Sequence, residues 1–325
     1  MRKVTISDLD AGQRFDKYLK KYLSKAQSGF IYKMLRKKNI LLNEKKATGS
    51  EKLAEGDVIT LYLSDDTIEK FSVIESAVPD KVSIRTDGTH IMYKNYTIDI
   101  LYEDEHIAFL NKPAGLLSQK AEKNDVSLVE IFESYVNITS KAALSVQKPG
   151  ICNRLDRNTS GVVACGKTLK GLQALTEAIR EKKVRKYYRC IVCGHMKDHM
   201  RLSGYLTKDE RTNKARYFSE RPDSRAVRIE TVYDTVERYK TASLLNVELI
   251  TGKTHQIRAH LASCGNPIVG DIKYGAKKDP YLKHYLLHSY KLCFGKQQGA
   301  LSGVSCKSIQ APIPWEFEEY TDKIR

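Results

Sequence analysis

The sequence predicts an α+β protein of two domains, the larger built on a mixed, mainly antiparallel sheet flanked by helices. Three observations lead there. The chain has 325 residues, 41% of them hydrophobic, which is enough to bury two separate cores. In the second half, apolar runs flank short polar turns as in hairpins, with no repeated strand–helix–strand alternation of the kind that builds a parallel sheet. Between the halves, from Ser64 to about Asn95, helical periodicity gives way to a looser stretch punctuated by Asp65-Asp66, Pro79-Asp80 and Asp87-Gly88. The expected organisation is a small domain over 1–65, a linker over 66–95 with some extended structure, and a large domain over 96–325.

Charge narrows the partners. Lys and Arg number 55 against 39 Asp and Glu, a formal charge of +16, so the surface potential favours polyanions. Nucleic acid comes first, because neutralising its phosphates releases counterions. No apolar run reaches the ~18 residues of a membrane span, and the start lacks a basic-then-apolar signal. We therefore expect a cytoplasmic protein with no membrane partner. Seven cysteines, an odd number scattered from Cys152 onward, argue for reduced thiols. Cys190 and Cys193 form a CxxC near His195 and His199, but the run reads as a strand and no second pair follows, so no metal is expected.

In the first domain, Phe15, Tyr18, Leu19, Tyr22 and Leu23 make one apolar helical stripe. Ser28 is placed to cap a second helix with Phe30, Ile31, Met34 and Leu35 inward, and its other face and end carry Lys33, Arg36, Lys37 and Lys38. Strands follow at Ile40–Asn43 and Val58–Leu63. Residues 1–65 hold 14 basic and 8 acidic side chains, a net of +6. This order of helix, basic helix, strand, Gly-Asp turn and strand resembles the RNA-binding domain first described in ribosomal protein S-four, over Arg14 to Leu63. The resemblance implies that the second helix and the loop after it lie against RNA backbone.

The second domain opens with a hairpin pattern, Ile100 to Gly115, ending in Asn111-Lys112-Pro113-Ala114-Gly115. A core helix follows Ser127, with Leu128, Ile131, Phe132, Tyr135 and Val136 inward. Next comes Ile151 to Lys167, ICNRLDRNTSGVVACGK. Asp156 lies there between Arg154 and Arg157, on a loop before the buried-strand pattern Val162-Val163-Ala164-Cys165. Rigid scaffolds place reactive groups at such strand mouths, although an arbitrary Arg-x-Asp-Arg is more often a surface salt bridge. Thr168 can cap a helix with Leu172, Leu175 and Ile179 inward. That helix runs into residues 180–189, with six basic side chains and one acid, and then a strand alternating as Lys186-x-Tyr188-x-Cys190-x-Val192. Residues 197–228, with nine basic and five acidic side chains, read as a hairpin-bearing, RNA-facing insertion. Strands are expected at Val227–Val236 and Ser243–Ile250. Then Thr-Gly-Lys-Thr-His-Gln-Ile-Arg258-Ala-His opens a helix, with Thr254 as cap and Gly265 as stop. Gly252-Lys253-Thr254 lacks the upstream glycine of a phosphate loop, and His255 and His260 are five apart, wrong for one helical face.

Asn-Arg-Leu-Asp-Arg-Asn-Thr-Ser-Gly, 153–161, resembles the catalytic signature of the RluA-type pseudouridine synthases, His-Arg-Leu-Asp-x-x-Thr-Ser-Gly, with Asn153 where His is usual. The Lys112-Pro113 segment, Lys186-x-Tyr188 and the run through Arg258 resemble further motifs of that family, with Lys253 replacing the usual Arg. The resemblance covers Ile100 to Gly275. It implies isomerisation of uridine to pseudouridine in RNA, with no redox cofactor, nucleotide or metal. Asp156 would be the nucleophile, acting on the ribose anomeric carbon, on the uracil ring or through elimination from the sugar. Tyr188 would be the active-site tyrosine, with Tyr187 as the neighbouring alternative on the opposite face, and Arg258 would pair with Asp156. Substrate contacts are implied at Asn153, Arg154, Arg157, Lys253 and His255, and a packing role at Lys112. By analogy with members carrying the same N-terminal module, the RNA is that of the large ribosomal subunit. A tRNA-directed synthase and a non-catalytic RNA-binding or ribosome-assembly protein are the alternatives. We expect a monomer.

Overall fold

The computed structural model describes residues 1–72, 83–139, 148–209, 211–212 and 214–325. In the first domain β1 (Arg2–Thr5) leads to α1 (Phe15–Tyr22) and α2 (Ser28–Arg36), then β2 (Ile40–Leu42), β3 (Lys45–Lys46) and β4 (Val58–Leu61). Phe15, Leu19, Ile31 and Leu35 pack with Ile40, Ile59 and Leu61 into one core, so both helical stripes face the sheet. The sheet order is β1-β4-β2-β3. β1 was not expected: four residues, half of them charged, carry too little alternation to read as a strand, and Val4 opposite Ile59 is what seats it. Ser28 does not cap α2. It is the first helical residue, and Gln27 precedes it without a side-chain cap bond.

The stretch expected as a linker is more structured than its pattern suggested. α3 (Asp65–Phe71) is capped by Ser64, whose hydroxyl accepts from the Thr67 backbone N–H, and Asp65 and Asp66 fill its first turn. Both features favour a helix start, but seven residues are too few for a visible stripe. Phe71 packs on Phe30, ring centroids 4.6 Å apart. Residues 73–82 lie outside the described residues. Beyond them β5 (Arg85–Thr86) and β6 (His90–Tyr93) already belong to the large sheet, with β6 paired to β7 (Tyr96–Glu103) as a hairpin.

β7 and β8 (Ile107–Lys112) form the expected hairpin around Asp104-Glu105-His106. After α4 (Leu128–Thr139) come β9 (Gly150–Ile151) and β10 (Ser160–Gly166), then α5 (Leu169–Arg180), capped by Thr168 as expected. β11 (Val184–Cys193), β12 (His199–Asp209), β13 (Lys214–Phe218), β14 (Val227–Arg238) and β15 (Ala242–Leu249) follow, then α6 (Gln256–Ser263), β16 (Leu287–Phe294), β17 (Ser308–Gln310) and α7 (Trp315–Ile324). The sheet runs β13-β12-β14-β15-β11-β16-β10-β8-β7-β6-β5. Its pairs are antiparallel except β10 with β16, which is parallel, so the sheet is mixed and mainly antiparallel.

Burial explains the unbroken apolar run of β10. Val163 and Cys165 pack with α4 residues Ile131, Phe132 and Tyr135 on one face, while Val162 and Ala164 pack with α5 residues Leu175 and Ala178 on the other. A strand covered on both faces has no polar side to show. Cys190 and Cys193 fall into different clusters for the same reason, one in the α4 core and one beside Phe317 of α7. Among the described residues, no helix is long and apolar enough to cross a membrane.

Candidate active site

Asp156 sits on the loop of residues 152–159 that joins β9 to β10. The loop is pinned from several sides. Asn153 Oδ1 accepts from the Ala164 backbone N–H at 2.7 Å, and its amide donates to the Val162 carbonyl at 3.3 Å. Ser118 Oγ donates to the Leu155 carbonyl at 2.7 Å and accepts from its N–H at 3.0 Å. Lys112 is fully buried, and its Nζ lies within hydrogen-bond reach of the carbonyls of Pro113, Leu116 and Arg157, at 2.9, 2.7 and 3.0 Å. It is a post beneath the loop, as the Lys-Pro segment implied. Gly161 follows at φ +113°, where a Cβ would lie 2.1 Å from the Ser289 carbonyl, so the parallel contact of β10 with β16 requires glycine.

The partner of Asp156 is not either flanking arginine. Arg154 and Arg157 are exposed and, among the described residues, make no ion pair. Instead Arg258, from α6, donates through Nη1 to Asp156 Oδ2 at 2.9 Å. The other edge of that guanidinium is clamped by Asp271, with Nε and Nη2 at 2.7 and 2.9 Å from its two oxygens. Its faces lie against Tyr285 and Tyr274, 4.4 and 4.9 Å from the ring centroids. Burial alone would lower the Arg258 pKa, but the Asp271 bonds, Tyr285 and the two carboxylates raise it above its ordinary value. Arg258 is thus a fixed cation, aimed by Asp271. Electrostatic attraction between such a cation and Asp156 is strengthened where water is thin.

A cleft of about 1080 Å³ opens over this pair. Tyr188 forms part of its wall, 7% exposed, on the β11 face that points inward. Tyr187 points away and packs against Tyr290 and Lys291. Burial pushes the Tyr188 hydroxyl up to about 12, with Asp156 adding to the rise and Ser289 opposing it, so near neutral pH it is an uncharged phenol. His255 occupies the N-cap position of α6 in the left-handed region at φ 57°, without a side-chain cap bond, so Thr254 does not take the capping role expected of it. Its Nδ1 lies 3.0 Å from the Tyr274 hydroxyl and its Nε2 3.5 Å from Asp156 Oδ2. Burial lowers the His255 pKa below its ordinary value, while the charge of Asp156 pulls it the other way. Cations line the cleft: Arg154, Arg157, Lys186, Lys208, Lys253 and Lys273.

Asp156, Tyr188, Arg258, Asn153, Arg154, Arg157, Lys253 and His255 thus share one cleft. Asn153 lines it, but its amide is spent on β10. Lys33, Arg36, Lys37 and Lys38 are exposed on the first domain and do not line the cleft. Reasoning from sequence missed Asp271, Tyr274 and Tyr285. An acid following the apolar Pro267-Ile-Val-Gly270 was a readable sign of a buried partner, whereas no motif or periodicity singles out Tyr285. Thr159 was quoted only as part of a motif. Its hydroxyl lies 3.1 Å from that of Tyr285, which ties the loop to the ring covering Arg258.

Known proteins resemble this chain in sequence and fold. The profile of the RNA pseudouridylate synthase family matches residues 106–263, which takes in the Asp156 loop, Tyr188 and Arg258. The ribosomal large subunit pseudouridine synthase C of Vibrio vulnificus is 31% identical over 338 residues, covering 99% of this chain and 97% of that protein. The protein of the same name from Rickettsia bellii is 32% identical over 289 residues, covering 87% and 90%. In fold, the solved structure of human RNA pseudouridylate synthase domain containing 1 superposes with a TM-score of 0.54 at 18% identity, over 68% of this chain and 86% of that one. The chain belongs to the RNA pseudouridylate synthase family.

Proposed function

We propose that this enzyme isomerises uridines of large-subunit ribosomal RNA to pseudouridine, with Asp156 as the nucleophile. The observation that carries the assignment is the Asp156–Arg258 contact at 2.9 Å, backed by the bidentate Asp271 clamp, at the floor of a cation-lined cleft. The reaction breaks the bond from uracil N1 to the ribose anomeric carbon and forms one from C5. C5 loses a proton and N1 gains one. A carboxylate aimed by a fixed guanidinium suits attack on the sugar, attack on the ring and elimination alike, since each needs a charged oxygen beside the departing base. The neutral phenol of Tyr188 offers a face for the uracil ring and a proton donor beside it. A stacked base is out of reach, so the target must be flipped out, at a cost of a few kcal/mol. Phosphate contacts from Arg154, Arg157 and Lys253 at the rim would offset part of it.

Residues 1–65 act in this reading as an S-four-type RNA-binding domain, gripping backbone through Lys33, Arg36, Lys37 and Lys38. Support comes from their exposure together at the end of α2 and in the turn after it. The ribosomal substrate is supported by the names of the full-length relatives. To test it, transcribed large-subunit RNA and total tRNA are incubated with the enzyme, and pseudouridine is mapped by carbodiimide-stopped primer extension. Discrete new stops in the ribosomal RNA are expected. Stops confined to tRNA would move the substrate, and none in either would sink the proposal.

A further inference from the structure

A second concavity, of about 740 Å³, lies on the β12–β13 hairpin and the loop leading to β14. Its cations are Lys208, Arg211, Arg216 and Arg225, and its acids are Asp209 and Asp223. Both acids are engaged locally. Asp209 Oδ1 accepts from the backbone N–H groups of Arg211 and Thr212 at 3.0 and 3.4 Å, shaping the hairpin turn. Asp223 Oδ1 accepts from those of Arg225 and Ala226 at 2.8 and 3.1 Å, and its Oδ2 takes the Arg225 guanidinium at 2.9 Å. Arg225 is therefore neutralised in place. Lys208, Arg211 and Arg216 are exposed and, among the described residues, form no ion pair.

Three exposed cations that form no ion pair among the described residues give the concavity a positive excess, although Arg216 also feels the charge of Asp209, and a phosphodiester backbone is the ligand that fits it. Lys208 also lines the cleft over Asp156, so the two concavities share a wall. We infer that the hairpin concavity grips the phosphates of the RNA strand next to the flipped-out uridine, with Arg211 and Arg216 as the principal contacts. This rests on the RNA-modifying reading, and it adds a device for affinity that lies outside the chemistry. Neither arginine lines the cleft over Asp156. Losing them should therefore weaken binding and leave the chemical step alone.

The test compares wild type with the double variants R211Q/R216Q and R211K/R216K. Filter binding to transcribed large-subunit RNA is measured from 50 to 300 mM salt, alongside pseudouridine formation. For the glutamine pair, affinity should fall about tenfold or more at low salt, and the slope of log affinity on log salt should drop by about 1.4–1.8, or two phosphates. Its KM should rise while kcat stays within about twofold. The lysine pair keeps the charge and should keep most of the slope. An unchanged slope in the glutamine pair would overturn the inference, as would an equal loss in the lysine pair or a loss confined to kcat. Activity of wild type with unchanged binding by R211Q/R216Q would fail this inference alone. A lower slope without modification of that RNA by wild type would fail the substrate assignment alone.

Discussion

Replacing Asp271 by asparagine tests whether Arg258 is aimed or merely present. Asp271 is 1% exposed and takes two of the guanidinium nitrogens, Nε and Nη2, leaving Nη1 for Asp156. Asparagine keeps one carbonyl acceptor, but it turns an amide N–H toward a guanidinium N–H and removes the charge that balances Arg258. Deleting one partner of a buried pair costs about 3–5 kcal/mol. With one bond retained, about 2–3 kcal/mol is expected. At about 2–4 °C per kcal/mol, the melting temperature should fall by roughly 5–10 °C. Catalysis should suffer separately, since about 1 Å of misplacement can cost on the order of 100-fold. Single-turnover release of tritium from RNA carrying 5-tritiated uridine reads this step directly. The Asp271→Asn rate should drop about 10- to 100-fold, with RNA affinity unchanged within twofold. A wild-type rate would refute the aiming role, whatever the melting temperature does.

Two further perturbations probe the supports of the loop. Gly161→Ala would force a Cβ to 2.1 Å from the Ser289 carbonyl at φ +113°. It should cost more than about 3 kcal/mol and leave little soluble protein; a well-folded, active variant would show that β10 and β16 are not so close. Burial pushes Lys112 from 10.5 down to about 7, with Asp156 pulling the other way. Between those values the unfolded chain holds the proton that the folded chain has released, so stability rises with pH, by at most about 1.4 kcal/mol per unit. Lys112→Met should flatten that rise in urea titrations from pH 7 to 9, and an identical slope would contradict it.

Local chemistry made much of this protein legible. The stripes of α1, α2, α4 and α5, the β7–β8 hairpin and the caps at Thr168 and Gly265 follow from spacing and residue type, and the structure has them. Elements stabilised chiefly from outside themselves were missed. β1 depends on pairing with β4, α3 is too short for a stripe, and the β5–β6 ribbon gains its place by extending a sheet built from later residues. The site divides along the same line. Asp156, Tyr188 and Arg258 stand in ordered motifs. Asp271, Tyr274 and Tyr285 matter because α6, the segment after it and the residues leading into β16 converge on one guanidinium. The flanking arginines show the limit of adjacency: they sit beside Asp156 in sequence, but its partner Arg258, which only the motif resemblance pointed to, comes from 102 positions away.

The central claim is that the carboxylate of residue 156 performs the chemistry rather than holding the pocket together. Asp156→Asn preserves shape and one acceptor for Arg258 while removing the charge. Tritium release from RNA with 5-tritiated uridine should fall to the level without enzyme, with RNA bound as tightly as by wild type within about threefold. Release at a rate within tenfold of wild type would contradict the assignment.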